Sequence, residues 1–149
     1  MSGQPVKRGT MAHDHDVYTL LADAAAQQRD LPALSQYAPR AEELAECDGH
    51  PLYLAIAHRA LGVAKRLAGD YAEAGARLRQ ALPLFQQLGT QWQAGRTLAE
   101  MADLALAQGD QAGARDSLTQ ALALFEALRA LPDVERTRRA LRMVDGAAG

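Results

Sequence analysis

The sequence is poor in aromatic residues, which make up 5% of its 149 residues, and it has a single cysteine, Cys47. Few aromatic and few β-branched residues argue against a β-sheet. A lone cysteine excludes an internal disulfide and is typical of a reducing compartment. No apolar run approaches the roughly 18 residues that span a bilayer, and the N-terminus has no apolar core of a secretion signal. We therefore predict a cytoplasmic protein that does not bind a membrane.

Strong charge and catalytic motifs are missing as well. A formal net charge of −2 gives no field that would attract nucleic acid. The chain has no phosphate loop of the G-x-x-x-x-G-K-[ST] type and no G-x-S-x-G around its three serines. His13 and His15 form an H-x-H pair, whereas structural zinc normally needs four ligands. We predict no catalytic residues, no metal, no cofactor and no nucleic-acid partner.

What the sequence has instead is a repeat at an offset of 40 residues. Gly69-Asp70 returns as Gly109-Asp110, and Leu84-Phe85 returns as Leu124-Phe125. Glycine suits the left-handed end of one helix, and aspartate caps the start of the next. Each Gly-Asp pair therefore predicts a turn between two helices, and a fixed period of this size is typical of helical arrays.

The repeat divides the chain into three helix-turn-helix units and one further helix. We place the units at about residues 15–50, 51–90 and 91–130, and a capping helix at 132–144. Arginines make this last helix polar, as the end of a stack requires. Residues 1–14 carry glycine, proline and charge without periodicity, which predicts a disordered tail.

Three residues interrupt the pattern. Pro39 and Pro83 fall inside predicted helices, where proline removes a hydrogen bond. We expect Pro39 to kink or split its helix, and Pro83 to bend its helix. Arg29 stands where the other units have glycine before aspartate. We expect the first turn to be less tight than the others for that reason.

The pattern resembles the tetratricopeptide repeat, in a long variety of about 40 residues that is common in bacterial multidomain regulators. In the first helix of the middle unit, His58, Leu61-Gly62 and Lys65 occupy the positions of that family's motif, although Lys65 replaces a large packing residue. The second helices carry small, large and small residues at spacings of four and three: Ala74, Leu78 and Ala81, then Ala114, Leu118 and Ala121. The resemblance implies an all-α, right-handed solenoid of about seven helices.

It also implies a binding function. In this family the first helices of each unit line a concave groove that takes a protein or peptide. Carried over residue by residue, the predicted groove includes Arg59, Val63, Arg66, Arg96, Asp103, Arg136 and Arg139. Arginines that converge on a groove suit an acidic peptide or a C-terminal carboxylate. The leading hypothesis is a non-enzymatic protein-binding module.

Two alternatives stay open. The array could form a homodimer through an incompletely capped end or an apolar edge, for which Trp92 and Tyr53 are the candidate contact residues. It could also be a sensor array that relays a signal to a separate effector module, as in the multidomain regulators that it resembles.

Overall fold

The structure, a computed structural model, describes residues 16–148, and these form seven helices without a strand. Helix α1 covers residues 16–27. The others are α2 (Leu31–Asp48), α3 (Pro51–Leu67), α4 (Tyr71–Gln87), α5 (Gln91–Ala107), α6 (Gln111–Leu128) and α7 (Leu131–Ala148). From α2 onward each helix packs against the next along the chain. The predicted all-α repeat solenoid is thereby confirmed.

Two predictions on the ends of the array have different outcomes. The capping helix is longer than the predicted 132–144, because α7 begins at Leu131 and continues to Ala148. The predicted tail, 1–14, and the His13/His15 pair lie outside the described residues.

The turns within the three units share one construction. An aspartate comes directly before each second helix: Asp30, Asp70 and Asp110. Its carboxylate accepts a hydrogen bond from the backbone N–H three residues further along the chain. The residue before Asp70 and before Asp110 is a glycine at positive φ, 87° and 78°. Glycine adopts this left-handed backbone conformation readily, because it has no Cβ to clash.

Arg29 adopts the same conformation without being glycine, with φ of 56°. Its backbone N–H donates to the carbonyl of Ala26 at 3.2 Å, and that of Asp30 donates to Ala25 at 3.0 Å. The turn at Gly69 has the same two hydrogen bonds, at 3.0 and 2.8 Å. Both hydrogen bonds are longer at Arg29 than at Gly69, which agrees with the prediction of a less tight first turn. The turn keeps its construction because arginine accepts the left-handed geometry at an energetic cost.

Neither proline divides its helix. Pro39 lies inside α2 and Pro83 inside α4, and both helices continue through them. Both prolines are exposed, as are Ser35 and Arg79, whose carbonyls lose their usual donor. Water can satisfy a carbonyl on a solvent-facing side, so the predicted split does not occur.

The core is built from small residues that let the helices approach closely. Alanines at 0% exposure recur in every unit, among them Ala38, Ala41, Ala81 and Ala121. Glycine marks the tightest contacts. A Cβ on Gly62 of α3 would meet Leu78 Cγ at 2.9 Å, and one on Gly95 of α5 would meet Phe125 Cε1 at 2.7 Å. Interiors packed this densely leave no room for an added methyl group.

Candidate binding groove

The first helices of successive units, α1, α3, α5 and α7, supply most of the polar side chains that meet on one side of the stack. Asp23 of α1 lies at the centre. Its Oδ1 accepts hydrogen bonds from Arg59 of α3 at 3.1 Å and from Arg96 of α5 at 3.0 Å. One carboxylate thus connects three helices and serves two guanidinium groups, which leaves one positive charge in excess.

Arg59 is the most deeply placed member of this cluster, at 1% exposure. Its Nη1 donates to the carbonyl of Gln93 at 3.2 Å and to Thr97 Oγ1 at 3.3 Å, and its guanidinium lies 4.9 Å from the centre of the Phe85 ring. Burial and the nearby Arg96 lower the pKa of Arg59 to about 10, against the attraction of Asp23. Arg59 therefore remains charged at neutral pH.

The pKa of Asp23 moves in the direction that favours its charged form. Burial alone would raise that pKa, but the charges and hydrogen bonds of Arg59 and Arg96 outweigh it and lower the pKa below its ordinary value. The three groups are accordingly an ion cluster at neutral pH rather than a set of neutral hydrogen-bonding groups.

A second cluster joins the first unit to the third. Arg29, in the turn between α1 and α2, reaches α5 and contacts Glu100 Oε2 and Asp103 Oδ2, both at 2.9 Å. Arg66 of α3 approaches the other oxygen of Glu100 at 3.5 Å. Burial raises the pKa of Glu100, while Arg29 opposes that rise. This cluster holds the first turn against a helix more than 70 positions away in the sequence.

A third cluster lies where α5 and α7 begin. The indole N–H of Trp92 donates to Asp133 Oδ2 at 3.0 Å, and Arg136 pairs with the same carboxylate. The guanidinium of Arg96 lies 4.9 Å from the centre of the Trp92 ring, an arrangement that favours a cation–π interaction. Trp92 keeps 43% of its surface exposed.

Each of these clusters contributes side chains to the lining of a cavity of about 490 Å³. Apolar atoms of Ala99 on α5, Leu118 and Phe125 on α6, and Ala140 on α7 contribute to its lining. Charged and polar side chains complete the lining: Gln27, Arg29, Trp92, Arg96, Glu100, Asp103, Asp133, Arg136 and Thr137. We call this cavity, together with its charged lining, the groove. Its size falls within the range of pockets that bind ligands, about 300–1,000 Å³.

The predicted binding residues do not all reach this groove. Arg96, Asp103 and Arg136 line it, and Arg66 lies beside it through its contact with Glu100. Arg139 is exposed on α7 but does not line the cavity.

Arg59 and Val63 are each 1% exposed. Both were predicted to lie on the groove wall, but neither side chain is accessible to a ligand in this structure. Arg59 is buried because Asp23, Gln93 and Thr97 satisfy its guanidinium, and Val63 is buried because it packs in the core between α1, α2 and α3.

Sequence reasoning missed several residues of the groove, chiefly Arg29, Glu100 and the aromatic Phe125. The sequence does mark Arg29 as unusual, because an arginine stands here where the other two units have Gly69 and Gly109. The two candidates for self-association, Tyr53 and Trp92, both form contacts within the chain. The Tyr53 hydroxyl donates to Asp16 at 2.6 Å, and Trp92 belongs to the groove.

Among residues 16–148, no group of three or more His, Cys, Asp or Glu side chains could hold a metal ion. Within the same range, no helix has the length and apolar character needed to cross a membrane.

Paired helices stacked around small residues, with a groove on the side of the first helices, define a helical-repeat protein. A family model described as Tetratricopeptide repeat matches residues 53–127, just over half of the chain. The chain belongs to the tetratricopeptide repeat family, whose repeats are typically non-catalytic protein–protein interaction modules. A search of curated proteins finds no match.

Proposed function

We propose that this chain binds a segment of a partner protein in the groove, with an apolar side chain of the ligand in the cavity and a ligand carboxylate at the arginines beside it. The observation that carries the proposal is the cavity itself, which combines an apolar lining with charged walls on the side of the first helices. Binding sites in proteins commonly have this composition, with a few polar groups that fix the orientation of an apolar ligand.

The apolar part of the lining supports an aliphatic or aromatic anchor. Ala99 and Ala140 are small, so they leave space above the larger Leu118 and Phe125. A single apolar side chain of a ligand segment fits such a space and excludes water from it. Anchors that fill a desolvated pocket contribute most of the affinity of many protein interfaces.

The charges support a carboxylate. The three clusters contain five arginines and four carboxylates: Arg29, Arg59, Arg66, Arg96 and Arg136 against Asp23, Glu100, Asp103 and Asp133. The excess positive charge lies at Arg96, which shares Asp23 with Arg59 and also lines the cavity. The neighbouring Arg136 is 66% exposed and can turn toward a ligand.

Fluorescence polarisation tests the proposal with labelled peptides that place one leucine or phenylalanine beside one or two glutamates. Arg136→Glu is expected to weaken binding about tenfold, because it exchanges an attractive charge for a repulsive one. Ala140→Phe should weaken it at least as much by filling the cavity. The matched control is Arg142→Glu, which changes an exposed arginine of α7 outside the cavity and should leave affinity within about twofold of wild type.

Circular dichroism melts of each variant show whether the fold is intact. Equal affinity of wild type, Arg136→Glu and Ala140→Phe for every peptide would remove the groove from the proposal. Equal binding of peptides with lysine in place of glutamate would remove the carboxylate and leave the apolar anchor.

A further inference from the structure

The outer face of α1 carries an apolar stripe. Val17, Leu20, Leu21 and Ala24 follow the helical spacing i, i+3, i+4, i+7 and share one side of the helix. Leu20 is 70% exposed and Leu21 is 38% exposed. The opposite side of α1 is buried in the core between α1, α2 and α3. The stripe is therefore a second apolar face on a helix whose first face is already packed.

The 40-residue repeat shows what this stripe is equivalent to. The positions of Leu20 and Leu21 correspond to Ala60-Leu61 in α3, Glu100-Met101 in α5 and Ala140-Leu141 in α7. The position of Ala24 corresponds to Ala64, Leu104 and Val144. Apart from Glu100, these equivalents pack in clusters with the preceding second helix: α2 for α3, α4 for α5 and α6 for α7.

Within residues 16–148, α1 has no preceding second helix, so its stripe is the part of this repeated interface that lacks its cover. We propose that the stripe is a docking surface for an amphipathic helix of a partner protein, which lies on α1 as α2 lies on α3. The argument rests on continuity with the three interfaces already formed inside the chain. It concerns a surface separate from the groove.

A second copy of this chain does not supply such a helix. The second helices α2, α4 and α6 each pack against the first helix before and the first helix after. To offer one of them, a copy would have to open its own core. A helix from a different protein meets the requirement without that loss.

Charge narrows the chemistry of the partner. Residues 16–48 carry seven carboxylates and two arginines. Asp23 and Glu42 are paired with arginines of later helices, and the remaining five carboxylates still outnumber the two arginines by three. A docking helix with lysine or arginine beside its apolar stripe is therefore favoured at this end of the array. The expected partner helix combines small and large apolar residues, in the spacing of the second helices, with a basic flank.

The sequence of α4 can serve as a test peptide in place of the partner helix. It has the apolar pattern of a second helix, and its two arginines outnumber its one glutamate, whereas α2 and α6 are net acidic. A labelled, helix-stapled peptide of residues 71–88 is titrated with the full chain and binding is followed by fluorescence polarisation. Stapling removes the ordering cost that makes a short helix marginal in water.

Matched pairs of leucines test where the peptide binds. The double variant Leu20→Gln/Leu21→Gln is expected to weaken binding about tenfold or more, because it removes the apolar contact without adding charge. The control is Leu128→Gln/Leu131→Gln, whose leucines are 43% and 71% exposed at the other end of the array. The control should bind within about twofold of wild type.

Three outcomes would overturn the proposal. The first is no binding of the peptide, or binding that the Leu20/Leu21 variant does not weaken. The second is a lower melting temperature for that variant than for the control pair, which would mean that the chain itself covers the stripe. The third is a dimer of the wild type in sedimentation velocity that becomes monomeric in the Leu20/Leu21 variant, which would assign the stripe to a second copy.

Discussion

The carboxylate of Asp23 accepts a hydrogen bond at 3.1 Å from the buried guanidinium of Arg59, 36 positions further along the chain. Arg96 binds the same carboxylate from the third unit. The first helices of three successive units therefore depend on one side chain. Since Arg96 also lines the cavity, Asp23 links the stability of the stack to the shape of the groove.

Replacing Asp23 by asparagine is expected to lower the free energy of unfolding by about 3 kcal/mol, because Arg59 would stay buried without its counter-charge. The estimate is at the low end of the range for a broken buried pair, since the Asp23 side chain keeps 20% exposure. Urea denaturation measures the change. Asp116→Asn, at an exposed residue of α6, is the control and should change stability by less than about 0.5 kcal/mol. Equal effects of the two substitutions would contradict the assigned role of Asp23.

Arg29 and Arg129 offer a second matched comparison, because both are arginines at φ of 56° at the end of a helix. Glycine relieves that conformation, so Arg129→Gly should raise the free energy of unfolding by up to about 1 kcal/mol. Arg29→Gly gains the same relief but loses the contacts with Glu100 and Asp103. It should therefore be less stable than Arg129→Gly by about 0.5–1 kcal/mol at low salt.

Salt separates the two contributions. In high salt the difference between Arg29→Gly and Arg129→Gly should shrink, since screening weakens partly exposed ion pairs. Urea denaturation of both variants at low and high sodium chloride provides the measurement. A difference that does not depend on salt would argue against the ion pairs between the first turn and α5.

Gly95 tests the close approach of α5 and α6. Gly95→Ala places a methyl group 2.7 Å from the buried Phe125 ring, and overpacking of this kind costs about 1–3 kcal/mol. Gly146→Ala, on α7 with no atom within 4 Å of the added Cβ, should leave stability unchanged or slightly raised. Thermal melts compare the two. A Gly95→Ala protein as stable as Gly146→Ala would contradict the close contact between Gly95 and the Phe125 ring.

Because His58 is buried, we expect the free energy of unfolding to depend on pH. His58 is 9% exposed on α3, with its Nδ1 at 3.1 Å from Arg77 Nη1 and 3.5 Å from Glu42 Oε2. Burial lowers the pKa of His58 below 6.5, and Arg77 adds to that effect while Glu42 and Glu46 oppose it. The neutral ring is therefore the form that the fold favours. Its contribution to stability is present above pH 6.5 and is lost as the pH falls through the lowered pKa.

The free energy of unfolding of wild type should accordingly fall as the pH drops below 6.5, and His58→Gln should show a smaller fall over the same interval. Urea denaturation at a series of pH values measures both slopes. Parallel slopes for the two proteins would show that His58 does not titrate differently in the folded and unfolded states.

The helices and turns could be predicted from the sequence because the signals are local. Gly69-Asp70 and Gly109-Asp110 each combine a helix end with a helix start, and the 40-residue offset repeats them. The conformation of Arg29 could not be predicted in this way. A non-glycine residue at positive φ is costly. The ion pairs that Arg29 forms with Glu100 and Asp103 are seen only in the structure, because both partners lie more than 70 positions away.

The groove was less predictable because its parts come from distant units. The resemblance to the repeat family predicts Arg59 on the groove wall. Its burial depends on Asp23, Gln93 and Thr97, none of which is near it in sequence. The cavity also depends on Phe125 of α6, a second helix, whereas the predicted groove residues all lie on first helices.

The central claim, that a partner segment occupies the cavity, can be measured through Trp92. This residue is the only tryptophan of the chain, it lines the cavity and it is 43% exposed. Titration with an unlabelled peptide that carries leucine beside glutamate, without tryptophan, should shift Trp92 emission to shorter wavelength and saturate at the affinity measured by polarisation. The shift should be lost in Ala140→Phe. A peptide that binds without changing Trp92 emission, or that changes it equally in Ala140→Phe, would contradict occupation of the cavity.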